Sequence, residues 1–193
     1  MRIITELLLA AVYALVLQNF IFTGGYGASE AIRMAAKPKQ LYVMSFFITV
    51  FSTSASVICV ILEQIRRVRM LGIIGHAIIF ILVLAFVYII ALIVIVYGLK
   101  AKQRTRRRLG IAAFNTLVLA VPFLNYRAGF SVPEAIGSGI GSGLAFALAA
   151  FLINLGLQRL QKSDIPDAFK GTPAIFIYVA MLSLGFAGIL GTL

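Results

Sequence analysis

Six long apolar stretches, at about residues 4–22, 41–62, 71–99, 109–125, 132–157 and 173–192, leave this chain few ways to fold. A bilayer has a hydrocarbon core about 30 Å thick and takes roughly 20 helical residues to cross. Backbone N–H and C=O groups find no water there and must be satisfied within the segment, so the runs predict helices and not strands. The expected fold is an all-α integral membrane protein, one transmembrane domain over residues 1–193 with six transmembrane helices. A soluble domain is roughly half apolar and about a quarter charged. This chain is 62% hydrophobic and 12% charged, which excludes an ordinary soluble domain.

Lys and Arg number 17 against 6 Asp and Glu, a formal charge of +11. The basic residues lie between the apolar runs and form no face of their own, so they predict membrane orientation and contact with anionic lipid, and no nucleic acid partner. Separators one, three and five carry 3, 6 and 3 Lys or Arg, among them the run Lys100–Arg108. The N-terminus, separators two and four and the C-terminus carry 1, 3, 1 and 0. Cytoplasmic loops collect Lys and Arg, so the expectation is a multi-pass protein of the cell membrane with both termini extracytoplasmic. Met1-Arg2 and the apolar run after it superficially resemble a signal peptide, but more membrane sequence follows and no cleavage is expected. Trp is absent, which leaves interfacial anchoring to the 7 Tyr and the basic residues.

Helices one and four are the shortest and most interrupted. The first runs through Gln18-Asn19-Phe20 into Thr23-Gly24-Gly25-Tyr26-Gly27, where a continuous helix is not expected. The fourth carries Asn115-Thr116 near its middle and Pro122 beyond. Gln18-Asn19-Phe20-Ile21-Phe22 can be laid over Phe114-Asn115-Thr116-Leu117-Val118, and Glu30-Ala31-Ile32 recurs as Glu134-Ala135-Ile136 at a different offset. The reading is two inverted three-helix repeats, about 1–100 and 101–193, with helices one and four broken. Helix five opens on the capping-box spacing Ser131-Val132-Pro133-Glu134 and continues with Gly137, Gly139, Gly141 and Gly143, two Gly-xxx-Gly ridges for close helix approach. Without a strand before it or a Lys-Ser/Thr after it, that ladder is no phosphate loop.

Cys59, the lone cysteine, reads as a small buried apolar residue, and His76, with no second His or carboxylate at four-residue spacing, as a packing residue. No Ser-His-Asp, paired-carboxylate or nucleophilic-cysteine arrangement is visible, so the chain is at most one component of an enzyme.

Several segments together resemble a known family: Gln18-Asn19-Phe20, the basic turn near Lys37, Asn115 with the helix ending Phe123-Leu124-Asn125, and Ser163-Asp164-Ile165-Pro166-Asp167-Ala168-Phe169-Lys170-Gly171 leading into Ala180–Phe186. They are similar to the RnfA/RnfE–NqrD/NqrE family, the six-helix membrane subunits of the Rnf and Na+-translocating NADH:quinone reductase complexes. The resemblance covers nearly the whole chain and implies a pair of homologous subunits of opposite orientation. It also implies a two-iron, two-sulfur cluster between them, each subunit giving two cysteines. Counted from the neighbouring motifs, those cysteine positions fall on Ser29 and Thr116. Thiolates hold such clusters and an un-ionised hydroxyl is a far weaker ligand for iron, so no cofactor and no metal are expected.

Asn19, Ser29, Glu30, Asn115 and Thr116 form the expected polar site at the membrane midplane, either satisfying freed backbone or lining a path. Glu30 either caps the short helix after the Gly-rich break or serves there as a proton or cation relay. The leading expectation is a cluster-free Rnf/Nqr-type membrane subunit of an electron-transport or ion-translocating complex. It would pair with a homologous subunit or with itself, alongside other complex subunits. The alternatives are a small-solute or ion permease on the same inverted-repeat scaffold, or a passive membrane anchor.

Overall fold

The computed structural model describes residues 2–160, 166, 169–189 and 191, and among these it contains helices and no strand. Most of the Ser163–Gly171 motif lies outside the described residues. Helix α1 (Arg2–Val12) runs on as a π-helical turn, Tyr13–Leu17, and is followed by α2 (Phe20–Gly24) and α3 (Ala28–Ala35). Then come α4 (Pro38–Glu63), a single turn α5 (Arg66–Arg69), and α6 (Ile73–Ile93), which ends in a second π-helical turn, Val94–Gly98. The second half holds α7 (Gln103–Ala113), α8 (Thr116–Ala128), α9 (Val132–Leu160) and α10 (Thr172–Ile189).

Among the described residues five helical stretches are long and apolar enough to cross a membrane: Pro38–Glu63, Ile73–Gly98, Gln103–Ala128, Val132–Leu160 and Thr172–Ile189. The first apolar run is instead divided between α1 and α2. Large apolar side chains cover the outside. Tyr42, Ile74 and Tyr97 are 80%, 78% and 77% exposed, and α6 turns Ile78, Leu82, Phe86 and Ile89 outward. Each would cost about 1.5–3 kcal/mol to keep in water rather than in an apolar medium, so the surface is one made for lipid.

The core forms around α9, which lies between α1 and α4. Its two glycine ridges serve different neighbours. Gly137 and Gly141 face Leu7, Ala10, Ala11 and Ala14 of α1 and its π turn, while Gly139 and Gly143 face Thr53 and Thr49 of α4. Residue numbers rise together along the first pair and oppose each other along the second, so α9 runs parallel to α1 and antiparallel to α4. Small residues let backbones approach closely, and in lipid that close packing, not water exclusion, draws helices together. α4 meets the α9 glycines with Thr49 and Thr53, and its Ser45, Ser52 and Ser56 are buried. The hydroxyls of Thr49 and Ser52 donate to the carbonyls of Ser45 and Ile48, at 2.8 and 2.7 Å, within their own helix. Phe51, Phe146, Ile48 and Ile153 of the same two helices are fully buried.

α9 begins as its capping spacing predicts, with one difference. The Glu134 carboxylate accepts from both the N–H and the hydroxyl of Ser131, each at 2.7 Å, so one acid satisfies two donors at the helix entrance. At its other end the Asn154 amide donates to the Ala35 carbonyl at 2.6 Å, closing the C-terminus of α3. α10 sits at the edge. Its Tyr178 hydroxyl donates to the Leu152 carbonyl at 3.2 Å, and Phe186 stacks on Phe22 of α2 with ring centroids 4.7 Å apart.

Candidate functional site

Two helix interruptions organise the middle of the molecule, and an asparagine makes each of them. The π turn after α1 closes with the Gln18 N–H donating to the Tyr13 carbonyl at 2.7 Å. The chain then turns extended at Asn19, whose side-chain oxygen accepts from the Ile21 N–H at 3.1 Å and starts α2. Between α7 and α8, Asn115 does the same for the Leu117 N–H at 2.9 Å. The first N–H groups of any helix lack intrahelical partners, and Asn at the cap satisfies one of them. Both caps are buried, Asn19 at 0% and Asn115 at 5% exposure, where water is not at hand to replace them. Their amide nitrogens differ. That of Asn19 donates to the Leu15 carbonyl at 3.3 Å, whereas that of Asn115 is buried without a partner.

The loop after α2 crosses the start of α8. Gly27 adopts the left-handed conformation at φ 76°, and its N–H donates to the Thr116 hydroxyl at 2.8 Å. A methyl group at Gly27 would lie 2.8 Å from the Asn115 side-chain oxygen, so only glycine brings the loop this close. Thr116 and the segment leading to Ser29 therefore lie against each other, and both Ser29 and Thr116 are exposed. Beside them an apolar cavity of about 420 Å³ opens between Tyr26, Phe80, Thr116 and Phe123. Glu30 stands in the first turn of α3, where its carboxylate pairs with Arg33 at 2.6 Å.

At the ends of α8 and α9 a second polar group is buried. Ser138 donates to the Asn125 side-chain oxygen at 2.8 Å, and the Asn125 amide nitrogen has no partner. Next to it His76 is completely buried and stacks on Tyr126 at 4.0 Å, with its Nδ1 3.2 Å from the Gly72 carbonyl oxygen. A cavity of about 720 Å³ runs from Glu6, Arg127 and Glu134 between α1 and α8 down to Gln18 and Phe20.

The donors at Ser29 and Thr116 suit hydrogen bonding, not iron. Both are neutral hydroxyls, and the Thr116 oxygen already accepts the Gly27 N–H, whereas iron–sulfur clusters take thiolates. Cys59, the only thiol, is buried within α4. These residues do not fit a two-iron, two-sulfur cluster.

Three features are not legible in the residues alone. The Gly27 N–H is a backbone group and leaves no residue signal. Asn125 reads in the sequence only as the end of an apolar run, although an amide there, one turn from Pro122, marks a buried polar position. The third is a cavity joining Arg33 and Lys37 to Arg104, Arg107 and Arg108.

A family model described as "Rnf-Nqr subunit, membrane protein" matches residues 7–193. An RnfA-type component of a proton-translocating ferredoxin:NAD(+) oxidoreductase complex from Clostridium ljungdahlii is 38% identical over 81 residues, 42% of each chain. The RnfA component of the ion-translocating oxidoreductase complex of Pseudomonas paraeruginosa is 29% identical over 195 residues, and that of Colwellia psychrerythraea 26% over 196. The match to the first spans under half of that relative's length, and the matches to the other two span 97% of theirs.

Proposed function

This chain belongs to the Rnf-Nqr family of membrane subunits, and from that premise we propose that it is the RnfA-like member of a membrane complex coupling electron transfer to ion movement. Similarity over nearly the whole length to the RnfA components of ion-translocating oxidoreductase complexes supports the reading. In it, six helices form two inverted three-helix repeats, broken at Asn19 and Asn115. The exposed side bearing Tyr26, Ser29 and Thr116 meets a homologous subunit of opposite orientation or a second copy of this chain. Other subunits of the complex supply the redox cofactors.

The observation that carries the distinctive part is the pair of hydroxyls at 29 and 116. This subunit holds no iron–sulfur cluster of its own, and its broken helices act as polar, hydrogen-bonded elements inside the membrane. Vesicles containing the complex test this with two readouts. Ion uptake is expected to start only when a reduced electron donor is added in the presence of an electron acceptor, and iron in the isolated subunit to stay at background. Flux through this chain alone, without donor, would favour a permease, and stoichiometric iron in the subunit would overturn the cluster-free assignment.

We further assign the basic ends of α3, α4 and α7 to the cytoplasm, next to anionic lipid, because Lys and Arg gather on that side. Alkaline phosphatase fused after residue 193 is then expected to be active outside the cytoplasm. A cytoplasmic reporter active at the same position would reverse the orientation.

A further inference from the structure

The cavity that joins the two halves of the chain at their basic end measures about 380 Å³ and carries five cations on its wall: Arg33, Lys37, Arg104, Arg107 and Arg108. It is built, not merely a loop crowded with charge. Arg104, Arg107, Arg108 and Ile111 follow one another at helical spacing on a single face of α7. Gln40 and Met44 do the same on α4, and Arg33, Met34 and Lys37 come from the end of α3 and the turn after it. Met34, Met44 and Ile111 give the cavity an apolar part beneath the cations.

No carboxylate lines this cavity. Of the five cations, among the described residues, only Arg33 has an acidic partner, Glu30. Like charges facing one space repel, and at a membrane boundary water screens them less than in bulk. α4 and α7 also begin here, adding the positive poles of two helices. Such an arrangement is stable when an anion occupies its centre. Arginine dominates the set, and its planar fork matches phosphate oxygens two at a time.

We propose that this cavity binds a phosphate-bearing anion, with the phosphate among Arg104, Arg107, Arg108 and Lys37 and the adjoining carbon skeleton against Met34, Met44 and Ile111. An anionic phospholipid headgroup and a soluble phosphate ester share this chemistry. The site stands whether or not the chain takes part in electron transfer, so it goes beyond the function proposed above.

The same loop supplies its own control. Lys102 and Arg106 belong to the same basic run but do not line the cavity, and the Arg106 side chain donates to the Ala101 carbonyl at 3.2 Å. R104Q/R107Q and K102Q/R106Q remove equal charge from one helix end. Binding is measured with the purified chain in two arms: nanodiscs titrated with phosphatidylglycerol, and zwitterionic nanodiscs titrated with glycerol 3-phosphate. Saturable binding in at least one arm is expected, weakened about tenfold or more by R104Q/R107Q and less than about twofold by K102Q/R106Q. The arm that saturates identifies the source of the phosphate. Equal weakening by the two doubles would show general surface charge and overturn the site, as would absence of saturable binding in both arms. Should R104Q/R107Q fail to fold, Lys37→Gln from the opposite wall is expected to weaken binding about threefold, and no change there would overturn the proposal.

Discussion

G141A/G143A is expected to lose about 3 kcal/mol or more of folding stability, enough to deplete the folded protein more than about a hundredfold relative to the unfolded chain. The ridge leaves no room for a side chain. A Cβ at Gly141 would strike the Ala11 carbonyl oxygen and lie 3.0 Å from the Ala14 Cβ, and one at Gly143 would strike the Thr49 side chain. The Ala11 obstacle is backbone inside a helix, so relief requires α1 to withdraw along its length and forfeit its other contacts with α9. Gly185→Ala in α10 is the control, because nothing lies within 4 Å of the added methyl group. Thermal unfolding of the purified proteins in micelles reads the difference. Equal stability of G141A/G143A and G185A would mean that α9 does not sit between α1 and α4 as described.

Asn115→Ala is expected to cost about 2–3 kcal/mol, because it removes a helix cap and strands the Leu117 N–H where no water replaces it. Asn19→Ala is expected to cost at least as much, because it strands the Ile21 N–H and also gives up the bond to the Leu15 carbonyl. The serine variants separate the two sites. A serine hydroxyl can still cap, and the Asn115 amide nitrogen has no partner to lose, so Asn115→Ser is expected to restore most of the stability. Asn19→Ser also gives up the bond to the Leu15 carbonyl and is expected to recover less. Urea unfolding of the four variants measures this order, and an Asn115→Ser no better than Asn115→Ala would show that capping is not what the residue does.

Both effects trace back to patterns visible in the sequence, though not to the same depth. Glycine at 137, 139, 141 and 143 signals close helix contact, because few other needs place four glycines on alternate positions of an apolar helix. It does not say that the two ridges receive different helices, since partner identity is settled by the tertiary path. Asn19 and Asn115 stand out as amides inside apolar runs, and the structure gives them the same capping role. The relation between the loop at Gly27 and Thr116 is not legible, because it depends on a backbone N–H and a left-handed turn. The basic cavity is hidden for a plainer reason. The cations at 33–37 and those at 104–108 read as two separate basic connections until folding gathers them around one cavity.

The parallel seating of α1 against α9 sets a timetable for biosynthesis. The groove that receives Leu7 and Ala11 is made of Gly137 and Gly141, which leave the ribosome about 130 residues later. Through most of insertion the leading segment therefore waits in lipid with its mating surface open, and it locks only after the fifth apolar run has arrived. A nascent chain halted before that point would carry an unanchored first segment, open to membrane proteases, while one halted just beyond it would not.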